Sequence, residues 1–396
     1  MTLTGFVLLY IVATIAIGVI AATRVKNTSD FALAGRSLPL PMVITATFAT
    51  WFGSETILGL PGRFIESGIA GVIEEPFGSG MALILVGTFF AHKLYKQNIL
   101  TLGDYYRDRY GRSVELLCSV AIVISYLGWV GAQVTALGLV INLITEGAVS
   151  MTTGMVIGAA VVLAYTMVGG MWSVAMTDFV QMIVIVVGLV AILWFATDLA
   201  GGMDKVVDYA RGRDLFHAFP EPTTTGWLFW ISAAMTMMIG SIPQQDVFQR
   251  VMSAKNLPTA VAGPILGGSF YILFAFVPMF IVVAAILVMP DAAEKMLSED
   301  PQQLLPTLVR DYMPMWLRVV FFGAVLSAVM STASATMLAP STIFVENVLR
   351  HFMKIDDRNM LRAMRLSVAV FAVCVLSYSI ALEGAAIYDM VAMAYQ

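Results

Sequence analysis

Glu55 sits in the middle of an apolar run, Ala46-Thr-Phe-Ala-Thr-Trp-Phe-Gly-Ser-Glu-Thr-Ile-Leu-Gly-Leu-Pro-Gly62, with Gly53, Ser54 and Thr56 around it. A carboxylate at membrane depth costs several kcal/mol unless it is paired, protonated or turned toward water, so an acid there marks a site. The small and polar neighbours mark a helix that opens, because freed carbonyls are tolerated only where they line a cavity or bind an ion. The alternative is a small-residue packing face with Glu55 nearer the membrane surface. A second cluster, Ser327, Ser331, Thr332 and Ser334, lies in Val325-Leu-Ser-Ala-Val-Met-Ser-Thr-Ala-Ser334. Hydroxyls that bond back to their own helix are purely structural. Ser331 and Thr332, one turn after Ala328, nevertheless offer two hydroxyl oxygens and a carbonyl to a hard cation. Sodium needs about five oxygens, and the opened segment around Glu55 can supply the missing carbonyls.

Asp178 follows the double glycine of Gly169-Gly-Met-Trp-Ser-Val-Ala-Met-Thr-Asp178. It lies either on an ion's route to the cytoplasm or in a structural pair near the membrane surface. Glu74 and Glu75, just before Pro76, read as interfacial acids at a helix start, with solute contact as the alternative. Trp51, Phe52, Trp129 and Gln133 are the aromatic and amide candidates for lining a solute pocket, against the packing role usual for such side chains. Gly53, Glu55 and Thr56 join Trp51, Trp129 and Gln133 as the candidate solute-binding set. His92, His217 and His351 fall in or beside loops, and no cysteine and histidine spacing suits a metal. No nucleophile, base and metal constellation points to an enzyme, and no cofactor is expected.

The elements that must hold these residues are membrane helices. Of 396 residues 59% are hydrophobic and 12% charged, with a mean hydropathy of +0.86; a soluble domain carries about a quarter of its residues as charges. The formal charge of -4 and the lack of a basic patch exclude nucleic-acid binding. Apolar runs at Leu3 to Ala22, Pro39 to Leu60, Gly71 to Phe90, Val114 to Ile144, Thr152 to Val168, Trp172 to Trp194, Trp227 to Ile242, Ala260 to Met289, Trp316 to Leu349 and Leu366 to Leu382 are each predicted to span the bilayer. An eleventh segment, Ile387 to Gln396, is too short to cross about 30 Å of hydrocarbon. Cys118 and Cys374 lie in separate apolar segments and read as buried small hydrophobes rather than a disulfide.

With the amino terminus outside, one side of the membrane carries fifteen of the 22 basic residues, among them Arg24, Lys93, Arg107, Arg250, Lys354 and Arg365. The other side carries Arg63, Lys205, Arg211, Arg213, Lys295, Arg310 and Arg318. Positive charge gathers on the cytoplasmic side, so this places the chain as a multi-pass protein of the cytoplasmic membrane with its amino terminus outside. Nearly all these charges read as solvated loop residues anchoring helix ends.

At these residues the chain resembles the sodium:solute symporter family. The most specific element is Tyr165-Thr-Met-Val-Gly-Gly-Met-Trp-Ser173 followed by Ala175-Met-Thr-Asp-Phe-Val-Gln181. Supporting matches are Phe31-Ala-Leu-Ala-Gly-Arg36, Gly59-Leu-Pro-Gly62, Leu102-Gly-Asp-Tyr105 and Phe248-Gln-Arg250, and Ile242 to Arg250 is nearest the choline-transporter branch. The resemblance implies an all-α polytopic protein with two inverted five-helix repeats, a LeuT-like core preceded by one extra helix. On that frame residues 1–38 hold the extra helix and first cytoplasmic loop, 39–200 the first repeat and 201–396 the second, incomplete in its last helix, since family members continue for two or three more helices. The resemblance also implies a sodium site at Ala49, Phe52, Ala328, Ser331 and Thr332, with Asp178 on the sodium path.

The reading that follows is a sodium-coupled symporter importing a small organic solute, whether amino acid, choline-like amine, sugar or carboxylate, across the lipid bilayer. Proton coupling through Glu55 or Asp178, and a transporter-like sensor, are the rival readings.

Overall fold

The computed structural model describes residues 3–353 and 356–393. Lys354 and residues 394–396 of the last predicted segment lie outside them. The chain is 86% helical, as backbone in hydrocarbon must be, because a helix satisfies its own amides and carbonyls. Among the described residues seven helices are long and apolar enough to cross a membrane, or eight with a pair bent by 47°.

In chain order α1 is Leu3–Ala22, α2 the short Thr28–Leu33 and α3 Leu40–Trp51. A wide turn at Glu55–Gly59 then leads into α4, Leu60–Ser67. Next come α5 (Ile69–Gln97), α6 (Leu102–Tyr110), α7 (Arg112–Ile144) and α8 (Met151–Leu199). On the far side of a loop are α9 (Met203–Gly212), α10 (Thr224–Gly240), α11 (Gln245–Ser253), α12 (Leu257–Phe274) and α13 (Phe276–Val288). The chain closes with α14 (Pro290–Glu299), α15 (Leu304–Tyr312), α16 (Met315–Phe352), α17 (Asp357–Ala381) and α18 (Ile387–Met393).

Local chemistry sets the helix starts. Thr101 and Asp104 form a reciprocal capping box on α6, while Ser150, Thr223 and Asn256 each accept an amide at the start of α8, α10 and α12. The expected second span is divided: α3 stops at Trp51, and neither α3 nor α4 alone is long enough to cross. The expected seventh span is the bent pair α10 and α11. Conversely the fifth and sixth expected spans are joined in α8, whose 49 residues would extend to about 70 Å, more than twice the hydrocarbon thickness. Gly170, at φ 50° and ψ −138°, is where the direction changes.

Burial ranks the helices. In α16 every residue from Phe321 to Ile343 is buried, whereas α1 has only Val7, Thr14, Gly18 and Ala21 inside. The core therefore sits around α16, against α8, α7 and α3. Cys118 is half-buried and Cys374 exposed, which corrects the expectation that both are buried; α17 presents a solvent or lipid face to which Cys374 belongs. The two thiols are free.

Gly170 packs against α2: a Cβ there would come within 2.3 Å of the Phe31 carbonyl oxygen, and its φ lies where L-residues are strained. Gly170→Ala should lower stability by about 2–4 kcal/mol, read as a fall in thermal unfolding midpoint in detergent. An unchanged midpoint would mean that the turn is not held as described.

Candidate functional site

The site begins where α3 ends. Phe52 leaves the helix at φ −89° and ψ 70°, with its amide still bonded to the Phe48 carbonyl, and Gly53 and Ser54 carry the chain into the wide turn. The exposed backbone is claimed by side chains from other helices. Gln133 of α7 accepts the Ser54 amide at 3.0 Å. Thr332 of α16 donates to the Ala49 carbonyl at 3.2 Å, and Thr56 donates to the Trp51 carbonyl at 3.3 Å. Buried backbone groups without partners cost about 1–3 kcal/mol each, so the break exists because these three side chains meet it.

Ala49 and Phe52 on α3, and Ala328, Ser331 and Thr332 on α16, are all fully buried. The three α16 residues share one face at spacings of three and four, and the Thr332 to Ala49 contact ties that face to the break. Ser331 donates to Asp178 Oδ1 at 2.5 Å, so Asp178 on α8 stands directly behind the hydroxyl pair; its Oδ2 has no hydrogen-bond partner. The structure thus joins Thr332 to Ala49 and Ser331 to Asp178, with Ala328 one turn before the hydroxyl pair and Phe52 one turn after Ala49.

The expected solute set converges on the other side of the break. Glu55 is 1% exposed; its Oε2 accepts from Gln133 Nε2 at 2.7 Å and from the Ser54 hydroxyl at 3.4 Å, and its Oε1 accepts from Trp129 Nε1 at 3.2 Å. Tyr126, Trp129 and Gln133 lie along one face of α7. The Trp129 ring stands 5.0 Å from the Trp51 ring at 53° and 6.0 Å from that of Tyr126. Gly53 closes the set: a Cβ there would lie 2.6 Å from Glu55 Oε2, 2.8 Å from Thr332 Oγ1 and 2.9 Å from Gln133 Oε1. A larger residue there would have to displace the acid, the hydroxyl and the amide.

Several participants were not expected from sequence. Glu75, read there as interfacial, is 3% exposed and accepts from the Tyr271 hydroxyl and from Thr56 Oγ1 at 3.3 Å. The chain before Pro76 opens at Glu75, φ −138° and ψ 124°, and the Glu75–Pro76 peptide is cis, so α5 is interrupted and turns this acid inward. Tyr271 of α12 also bonds Thr56 at 3.2 Å. Glu74 is only half-buried. Arg250, counted among solvated loop charges, is 2% exposed; it donates to Thr50 Oγ1 at 2.7 Å and to the Asp246 carbonyl at 3.0 Å. Asp246 accepts from Tyr126. The available signal was the position of Arg250 and Asp246 one turn apart after a helix break, which charge counting assigned to a loop.

Comparison with known proteins places this geometry. A family model described as "Sodium:solute symporter family" matches residues 31–396. The high affinity choline transporter 1 of Homo sapiens is 28% identical over 92% of this chain and 65% of its own length, and that of Drosophila melanogaster is 26% identical over 98% and 63%. The chain thus spans less than two thirds of these relatives. A substrate-bound, outward-open structure of a Na+-coupled sialic acid symporter superposes with a TM-score of 0.86 at 19% identity, covering 98% of this chain and 83% of that one. The transporter Mhp1 superposes at 0.61 and 16%, over 91% and 75%. These likenesses show the LeuT-type fold.

Gln133 bridges backbone and acid, so Gln133→Leu strands the Ser54 amide and removes a donor from Glu55. The expected loss is about 2–4 kcal/mol, measured by thermal unfolding; Gln133→Glu, which brings a second carboxylate to Glu55, should fall at least as far. Full stability of the leucine variant would remove Gln133 from its place.

Proposed function

The chain belongs to the sodium:solute symporter family, and on that premise we propose that it is a sodium-coupled symporter carrying a small organic solute, such as the choline its relatives are named for, across the plasma membrane. The observation that carries the reading is the Thr332 to Ala49 contact, which sets one of two adjacent hydroxyls on a carbonyl of the broken helix. Neutral oxygens suit a monovalent ion that must be released on every cycle.

In this reading Ala49, Phe52, Ala328, Ser331 and Thr332 hold sodium between α3 and α16. An ion there replaces the direct hydroxyl-to-carbonyl contact and fixes the two helices against each other, favouring one side of the alternating-access equilibrium. Asp178, hydrogen-bonded to Ser331, takes the ion toward the cytoplasm. Each inward charge contributes about 2.3 kcal/mol per 100 mV of membrane potential. The solute occupies the far side of the break, among Trp51, Gly53, Glu55, Thr56, Trp129 and Gln133. The excess of basic residues on one side supports an amino terminus outside, with an extra helix and loop in 1–38 and the inverted repeats in 39–200 and 201–396.

Sodium should raise the thermal unfolding midpoint of the purified chain where potassium at equal ionic strength does not, because a ligand of the native state stabilises it. Ser331→Ala with Thr332→Ala should raise the half-saturating sodium concentration roughly tenfold or more, equivalent to about 1.4 kcal/mol per decade. An unchanged sodium response in the double variant would remove the ion from this place, and a response to pH alone would favour proton coupling instead.

A further inference from the structure

The buried charges of the described residues do not balance around the break. Asp104 and Glu115 reach Arg107 at 3.0 and 3.3 Å, and Glu346 pairs with Arg350. Asp246 shares a helical turn with Arg250, the one buried base among the described residues. Asp178 stands behind the hydroxyls assigned to sodium. Glu55 and Glu75, with no base in their own helical turn, have only neutral donors: an indole, an amide and a hydroxyl on the first, a phenol and a hydroxyl on the second. Among the described residues no basic nitrogen lies within ion-pair distance of either.

Two carboxylates in a low-dielectric layer repel each other, and a proton or a neighbouring positive charge relieves the repulsion. Thr56 links them, for its hydroxyl bonds Glu75 and its backbone adjoins Glu55. Aromatic surface lies beside the acids, with Trp51 1% exposed and tilted against Trp129; a cation over an indole face gains further attraction, more when desolvated. A third group points to a ligand. Tyr388 of α18, 8% exposed, has a hydroxyl without a hydrogen-bond partner, and its chain packs on Gly59 at the end of the wide turn.

We propose that the solute of this chain is an organic cation, whose positively charged nitrogen is held between Glu55 and Glu75 and against the indole of Trp51. The inference rests on the symport reading and narrows its solute from any small organic molecule to one bearing positive charge. The two carboxylates repel an anionic solute, and a neutral sugar leaves their charge uncompensated.

The test is thermal unfolding of the purified chain in saturating sodium chloride, with choline, ethanolamine and 1,4-diaminobutane as cationic probes. The controls are 3,3-dimethylbutan-1-ol, the uncharged carbon isostere of choline, together with galactose and lactate. At least one cation should raise the midpoint while the isostere, galactose and lactate do not. Glu55→Gln and Glu75→Gln, which keep side-chain shape, should each weaken that cation's half-saturation at least tenfold, with protection by sodium alone reporting that the variants fold. Protection by the isostere equal to that by choline, protection by galactose or lactate in place of the cations, or protection by none of the three cations would overturn the proposal. Loss of the sodium response with cation protection intact in potassium chloride would sink the sodium reading and leave the charge assignment standing.

Discussion

A helix can end in the middle of a membrane protein only if something other than water meets the backbone it frees. That constraint organises this molecule. The carbonyls of Ala49 and Trp51 and the amide of Ser54 lie at the break, and α16, the turn itself and α7 each send a side chain to one of them. The unbroken 33-residue α7 and the buried stretch of α16 from Phe321 to Ile343 flank the break, and it leans on both. Because a side chain that satisfies backbone can also bind a ligand, the same groups that make the break tolerable give it chemistry.

The interrupted elements meet one another. The α3 break, the inward turn of α5 at Glu75 and the bend between α10 and α11 all bring polar residues toward the centre, and they do so in contact. Thr56 bonds Glu75 and Tyr271, Arg250 from α11 bonds Thr50 on α3, and Tyr126 bonds Asp246. Arg250 is the cross-member of this arrangement. A guanidinium buried without a carboxylate in ion-pair range is expensive, and it holds the lower part of α3 to the bent helix through a hydroxyl. A hydroxyl contact can be given up more readily than an ion pair, which suits a joint between parts that move.

How much was legible in the sequence follows from what each feature depends on. The spans, the double-glycine turn and the break at Gly53 and Ser54 rest on composition within a few neighbouring residues, so the string itself carries them. The oxygen-rich face of Ala328, Ser331 and Thr332 rests on helical spacing, which is equally local. Glu75 and Arg250 were misread because their burial depends on partners far away, Tyr271 at a separation of 196 residues and Thr50 at 200. Tyr271 and Tyr126 carried no local signal, being tyrosines in apolar helices until an acid from elsewhere meets their hydroxyls. Cys374 was misplaced because an apolar helix does not announce which of its faces turns outward.

Gly53 explains why ion and solute would act on one another. The acid of the solute side and the hydroxyl of the ion side approach the same missing Cβ, at 2.6 and 2.8 Å, and both are fastened to the stretch of broken helix from Ala49 to Glu55. A ligand that draws Glu55 or Thr332 toward itself moves the backbone that positions the other. Whatever free energy the ion gains from a solute already seated, the solute gains from the ion, since coupling of binding is reciprocal. No relay across the protein is required, because the two sites share their wall. The fold need only keep α7 and α16 stiff, so that movement of the break is not absorbed by the helices that hold it.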